Sequence, residues 1–232
     1  MTVAVVSAIQ PKLFQTEIAM AARRRPENLT AYDLFLRAMQ QFYQATREGE
    51  AEALQLARRA LELDPRFSSV AVLAGACHMH NVLWGYSIDP QFDREEAIRL
   101  LRLALSLDSD PETLAWAAFI SAYMVGDCES EIEMADRTVA LNPNSFIAWN
   151  FRGWVYRNAG RPEEAIQSFE RAIRMSPVDP LLHRSFAGIG YAFTELRCFD
   201  EANRRREESP ASEPLLFGSL SLSRIRFRPS WT

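Results

Sequence analysis

Lysine is nearly absent from this chain of 232 residues: Lys12 is the single one, and the other basic residues of the Lys and Arg class are all arginine. We read that as a base-composition bias of the coding sequence before any function. Glycine is scarce too, with 9 residues and no Gly-rich loop. Phosphate-cradling loops and dinucleotide folds need glycines that bring backbone close to phosphate, so both are excluded. The three cysteines, Cys77, Cys128 and Cys198, form no C-x-x-C pair and are odd in number. That pattern fits free, mostly buried thiols in a reducing compartment and points to the cytoplasm. Long apolar runs are missing as well. The run Val3 to Ile9 has no basic residue before it and no small-residue cleavage site after it. A secretory signal is therefore not expected, and nothing reaches the length of a membrane span. Excess positive charge is absent: the net charge of -4 and pI near 5.5 argue against a nucleic-acid binder held by phosphate contacts.

What is present is ordinary globular composition, 48% apolar and 24% charged, enough for a buried core in one or two domains. The main signal is internal repetition. Three segments end alike: Ala60-Leu-Glu-Leu-Asp-Pro65, Val139-Ala-Leu-Asn-Pro143 and Ile173-Arg-Met-Ser-Pro177. The steps Pro143 to Pro177, Gly126 to Gly160 and Ile132 to Ile166 are each 34 residues. One copy is nearly complete. Trp149, Gly153 and Tyr156 lie on a first helix, Ala165, Phe169 and Ala172 on a second, and Pro177 closes it. Gly153 and Ala165 are small where two helices must approach, while Trp149, Tyr156 and Phe169 fill the space between neighbouring units. Gly160 and Pro162 break one helix and start the next.

That copy resembles the tetratricopeptide family, although Arg152 stands where leucine is usual. The resemblance implies an all-α, right-handed superhelical solenoid of antiparallel helix pairs. Degenerate copies precede it. Residues 112–145 carry Glu131, Ala135 and Thr138 in place of the family's Ala, aromatic and Ala. Residues 66–111 keep Gly75, Ala97, Leu101 and Ala104 but are lengthened around Trp84 to Pro90, read as a longer helix and a loop. Residues 30–65 keep Ala53 and Ala60, with Tyr32, Phe42 and Tyr43 on the first helix. A last, incomplete copy starts at Phe186, Gly190 and Phe193. The division is thus a capping or connecting helix over 1–29, interrupted at Pro11, about five helix pairs over 30–203, and an irregular tail over 204–232. The tail holds six Arg and three Glu, and Leu220, Leu222, Ile225 and Phe227 alternate as in a strand. It reads as a frameshifted or truncated end, with a partner-binding tail as the alternative.

The phrases Ala8 to Leu13, Arg25 to Leu29 and Ala31 to Leu34, with the Trp84-Gly85 insertion, are similar to the repeat region carried C-terminally by proteobacterial class III adenylate/guanylate cyclases. That resemblance implies a regulatory or docking segment and not cyclase activity, since no segment is left for a catalytic α/β domain. The remaining residues offer no catalysis. Cys77-His78-Met79-His80 turns about 100° per residue on a helix, so the four do not converge on one ion, and neither metal nor cofactor is expected. His183 and the run Arg204 to Arg206 read as solvated, and Cys128 has no local cation to activate it. The family resemblance places first helices on a concave face. There the flanking residues would face a ligand: Trp116, Ile120 and Tyr123, then Asn150, Trp154 and Arg157, then Tyr191. An aromatic floor with polar anchors suits a protein or peptide partner. The alternative is that these aromatics pack within the superhelix or beneath the chain's own tail.

Overall fold

The computed structural model describes residues 2–22, 29–108, 110–177 and 179–209, the side chains of 2–11 and 206 excepted. Among the described residues every element is a helix: α1 Thr2–Ala22, α2 Ala31–Phe42, α3 Arg47–Leu63, α4 Ser68–Leu83, α5 Pro90–Leu107, α6 Pro111–Met124, α7 Cys128–Leu141, α8 Phe146–Asn158, α9 Pro162–Met175, α10 Leu182–Glu195 and α11 Phe199–Glu207. The helix starts are written in the sequence. Thr30 and Asp33 form a reciprocal capping box, and Thr46, Asp89, Asp110, Asp127 and Ser145 each accept an N–H of the first turn. Pro90, Pro111 and Pro162 occupy first-turn positions where no N–H is needed.

The turn inside each helix pair passes through a left-handed residue. Gly85, Gly126 and Gly160 do so at φ 72°, 86° and 75°, whereas Ala45 and Arg197 adopt 52° and 62° without being glycine. The geometry of the pair therefore persists where the glycine is gone, at a cost on the order of 1 kcal/mol for each Cβ so placed.

Each second helix packs on its own first helix and on the first helix of the next pair. First helices also touch one another, α4 on α6, α6 on α8 and α8 on α10. The first helices α2, α4, α6, α8 and α10 thus form the inner layer, and α3, α5, α7, α9 and α11 the outer layer, of a right-handed tetratricopeptide-type solenoid. The α4–α5 pair is the long one, 16 and 18 residues, which absorbs the insertion ahead of Pro90. Helix α1 packs on α2, with Ile18 and Ala21 buried and Phe14 against Phe35.

Two expectations are corrected here. Helix α1 runs through Pro11, a position without a backbone N–H to donate, and does not end there. Helix α11 continues to Glu207, and Arg205 of the basic run donates to Glu170 on α9 and to Glu208 from a partly exposed position. The strand-like stretch Leu220 to Phe227 and the rest of 210–232 lie outside the described residues.

Packing between the last pairs centres on Phe169, which is fully enclosed. A Cβ built on Gly153 of α8 would come within 2.6 Å of its ring, and one on Gly188 of α10 within 2.3 Å. The ring is held between two glycine backbones and has nowhere to yield. Phe169→Ala is expected to cost about 3–5 kcal/mol through the cavity it leaves, and Gly188→Ala about 1–3 kcal/mol through overpacking. Combining Gly188→Ala with Phe169→Leu should cost less than the sum of the two single changes in urea melts. Strict additivity would contradict the clamp.

Candidate functional site

Asn150, Trp154 and Arg157 follow one another at helical spacing and form a stripe along the inner side of α8. The indole of Trp154 sits edge-on to Phe169, with ring centroids 5.4 Å apart, and 6.2 Å from the Tyr191 ring. The Arg157 guanidinium lies 5.7 Å from the Trp154 ring centre and 4.9 Å from that of Tyr191, and donates to Glu195 at 2.6 Å. Burial pushes the hydroxyls of Tyr123 and Tyr191 up in pKa, with Arg157 pulling both back. One cluster thus joins α6, α8 and α10. Asn150 accepts from Ser185 through Oδ1 at 2.8 Å. Its Nδ2, the Trp154 Nε1 and the Arg157 Nε are all buried without an acceptor. Unpaired buried donors are costly, and three on one stripe ask for an explanation.

Of the seven residues assigned to an open groove, Tyr123, Trp154, Arg157 and Tyr191 come together in this cluster. Tyr123, Trp154 and Tyr191 are half-buried, and Arg157 is nearly covered. Asn150 is fully enclosed, and so is Ile120, which packs towards Gly75 of α4. Trp116 meets Phe42, Phe119 and Phe151 edge-on and is a core ring linking α2, α6 and α8. Trp116 and Ile120 are therefore core residues of the inner layer, a correction to the groove assignment.

A second group was not foreseen. The His80 imidazole is stacked between Phe42 and Trp84, at centroid distances of 5.2 and 4.3 Å. Its Nδ1 lies 2.9 Å from the Glu50 carboxylate on α3 and its Nε2 3.5 Å from Arg184 Nη1 on α10. Burial holds this imidazole below its usual pKa, with Glu50 opposing and Arg184 reinforcing. A neutral ring donates from Nδ1 to Glu50 and accepts at Nε2 from Arg184. The Arg184 guanidinium also covers the Phe42 ring at 5.1 Å. Two residues earlier, on the other side of α4, His78 pairs with Asp93 of α5 at 2.5 Å. The Cys77 to His80 segment is thus packed core whose imidazoles each serve a different carboxylate, and among the described residues no group of three or more His, Cys, Asp or Glu could hold a metal ion. His183, read as solvated, is mostly covered, and its Nδ1 lies 3.0 Å from the Pro180 carbonyl.

Beside Arg184 is a cavity of about 520 Å³, between α2 and the N-terminal ends of α4, α6, α8 and α10. Phe35, Tyr43, Phe67 and Trp116 contribute rings to its wall; Asp110, Glu112 and Asp179 contribute carboxylates. Burial raises Asp179 to about 6, the Leu181 N–H pulling back. Glu112 is raised by partial desolvation beside the cavity and by the charges of Asp110 and Asp179.

Comparison with known proteins fits this architecture. Residues 117–180 match the family model described as tetratricopeptide repeat. A tetratricopeptide protein of Thermus thermophilus, TTC0263, is similar in structure with TM-score 0.60 and 14% identity, over 81% of this chain and 95% of that one. The Cut9–Hcn1 hetero-tetramer of the APC/C gives TM-score 0.57 at 16% identity, over 93% of this chain and 38% of that one. In sequence, the Saccharomyces cerevisiae peroxisomal targeting signal receptor is 30% identical over 105 residues, 45% of this chain and 16% of the receptor. The solenoid fold is that of tetratricopeptide proteins, and the chain spans about a sixth of the length of the curated relative it matches.

The buried imidazoles make a pH prediction. His80 is held below 6.5, and His183 is lowered to about 4 by burial and by Arg184. The folded chain then binds fewer protons than the unfolded one, so their contribution is full above pH 6.5 and is lost as pH falls towards 4. Asp179, raised from 3.8 to about 6, acts with the opposite sign and regains stability over the lower part of that window. The urea midpoint should fall from about pH 7.5 to about pH 5, less steeply in His183→Asn and more steeply in Asp179→Asn. Equal slopes in all three proteins would contradict the assignment.

Proposed function

We propose that the protein is a non-catalytic scaffold that binds a protein or peptide partner across the inner layer, at Trp154, Arg157, Tyr123 and Tyr191. The observation that carries this reading is the set of half-buried rings Tyr123, Trp154 and Tyr191, gathered around the Arg157 guanidinium on the inner layer. The half-buried rings would give a peptide an apolar floor, with the Arg157 guanidinium at its edge. The solenoid fold supports the reading, as does a relative whose name makes it the receptor of a targeting signal. No helix of the described residues is long and apolar enough to cross a membrane. Cys77, Cys128 and Cys198 are free, which suits a reducing, cytoplasmic setting. The negative net charge disfavours nucleic acid as partner. A second reading makes the chain a detached regulatory segment of an adenylate/guanylate-cyclase-like signalling protein. It is favoured by the sequence phrases at 8–13, 25–29 and 31–34, and a neighbouring reading frame encoding a cyclase domain would support it.

The test is a comparison of Trp154→Ala with Phe169→Ala on peptides selected from a library by the intact chain. Trp154→Ala should weaken the selected peptides by about 2 kcal/mol while costing less stability than Phe169→Ala. If Trp154→Ala unfolds the chain as badly as Phe169→Ala, or binding is unchanged, the inner-layer site is wrong.

A further inference from the structure

The cavity beside Arg184 carries charge of one sign. Asp110, Glu112 and Asp179 line it, and among the described residues no lysine or arginine does. Asp110 is used by the first turn of α6 and Asp179 by the Leu181 N–H, while the Glu112 carboxylate, close enough to feel both charges, has no such partner among the described residues. Phe35, Tyr43, Phe67 and Trp116 bring aromatic rings to the same cavity. Its volume is that of sites enclosing a ligand of a few side chains' size. The complementary occupant is a peptide in which guanidinium groups alternate with apolar side chains.

The chain contains such a segment. In Leu222-Ser-Arg-Ile-Arg-Phe-Arg-Pro-Ser-Trp231, Arg224, Arg226 and Arg228 alternate with Ile225 and Phe227. In an extended peptide, alternate side chains point to opposite sides, arginines to one and apolar groups to the other. The last described helix also runs in the right direction. Helix α11 returns antiparallel along α10, so Glu207 points towards the N-terminal end of α10, where Pro180 and Leu181 line the cavity. Arg205 fixes this end by donating to Glu170 at 2.8 Å. From Ser209 to Arg224 the chain can span about 50 Å when extended, ample to reach the cavity mouth.

We propose that the cavity between α2 and the N-terminal ends of α4, α6, α8 and α10 is the docking site of the chain's own segment 222–231. Its arginines pair with Asp110, Glu112 and Asp179, and Ile225 and Phe227 lie on the aromatic wall. A partner presenting a similar Arg-aromatic peptide would have to displace the segment, which makes it a built-in competitor. The inference goes beyond the scaffold reading and uses different residues, so either can fail while the other stands.

The experiment replaces Phe227 in the full chain by the photo-reactive benzoylphenylalanine, irradiates at low concentration and maps the cross-links by mass spectrometry. Cross-links should fall on peptides containing Phe35, Phe67 or Trp116. The yield should drop about tenfold in Asp110→Asn/Glu112→Gln/Asp179→Asn, which removes charge while keeping shape and capping acceptors. Arg224→Gln/Arg226→Gln/Arg228→Gln, which alters no residue of the solenoid, should give the same drop. Cross-links elsewhere, a yield indifferent to both charge variants, or cross-links between copies that vanish on dilution would each overturn the proposal.

Discussion

Arg184 reaches from the start of α10 to His80 of α4, 104 residues earlier in the chain, and through that imidazole to Glu50 of α3. Helix pairs in a solenoid normally contact only their neighbours, and stability is a sum of local terms. Here one guanidinium, 6% exposed, links the last pair to the first two across the superhelix axis. A buried cation without a counter-charge is strongly unfavourable, and so is the buried Glu50 carboxylate. Neither can be satisfied unless α3, α4 and α10 stand at one pitch. The relay through a neutral, doubly stacked His80 therefore fixes how tightly the inner layer coils.

That pitch decides what the inner layer can offer. At a looser pitch Trp116 and Ile120 would have faced an open groove. At this one they meet Phe42, Phe151 and Gly75 and become core. Partly exposed inner surface is left at two places. One is the Tyr123, Trp154, Arg157 and Tyr191 cluster, where the Trp154 and Arg157 donors remain without acceptors. The other is the acidic, aromatic cavity beside Arg184, whose wall is α2 itself. Tyr43 and Phe42, adjacent at the end of α2, serve the cavity and the charge relay respectively.

Much of the fold was legible because tetratricopeptide packing is local. The period of 34 residues, the small Gly153 and Ala165, the bulky Phe169 and the Pro and Gly punctuation all act within one helix pair and its neighbour. Gly188 was not legible. It packs against the far side of Phe169, a position the repeat pattern leaves unmarked, while Gly190 matched the pattern. Ala45 and Arg197 hide left-handed turns that a glycine would have announced. The functional surface was half legible. Helical spacing put Asn150, Trp154 and Arg157 on one stripe, but spacing says nothing of pitch, so it could not tell a lined groove from a filled axis. Glu50, His80 and Arg184 are far apart in sequence, and each reads alone as an ordinary polar residue.

A double-mutant cycle between Glu50→Gln and Arg184→Met, read by urea denaturation of the full chain at about pH 7.5, tests the closure most directly. The two side chains belong to different ends of the solenoid and are bridged by the His80 ring. If the relay closes the coil, each single change leaves a buried charge unpaired, and the double change should be less harmful than the sum, with a coupling of about 1–3 kcal/mol. Additive effects within about 0.3–0.5 kcal/mol would contradict the account. They would mean that the relay through His80 does not couple the two ends of the solenoid.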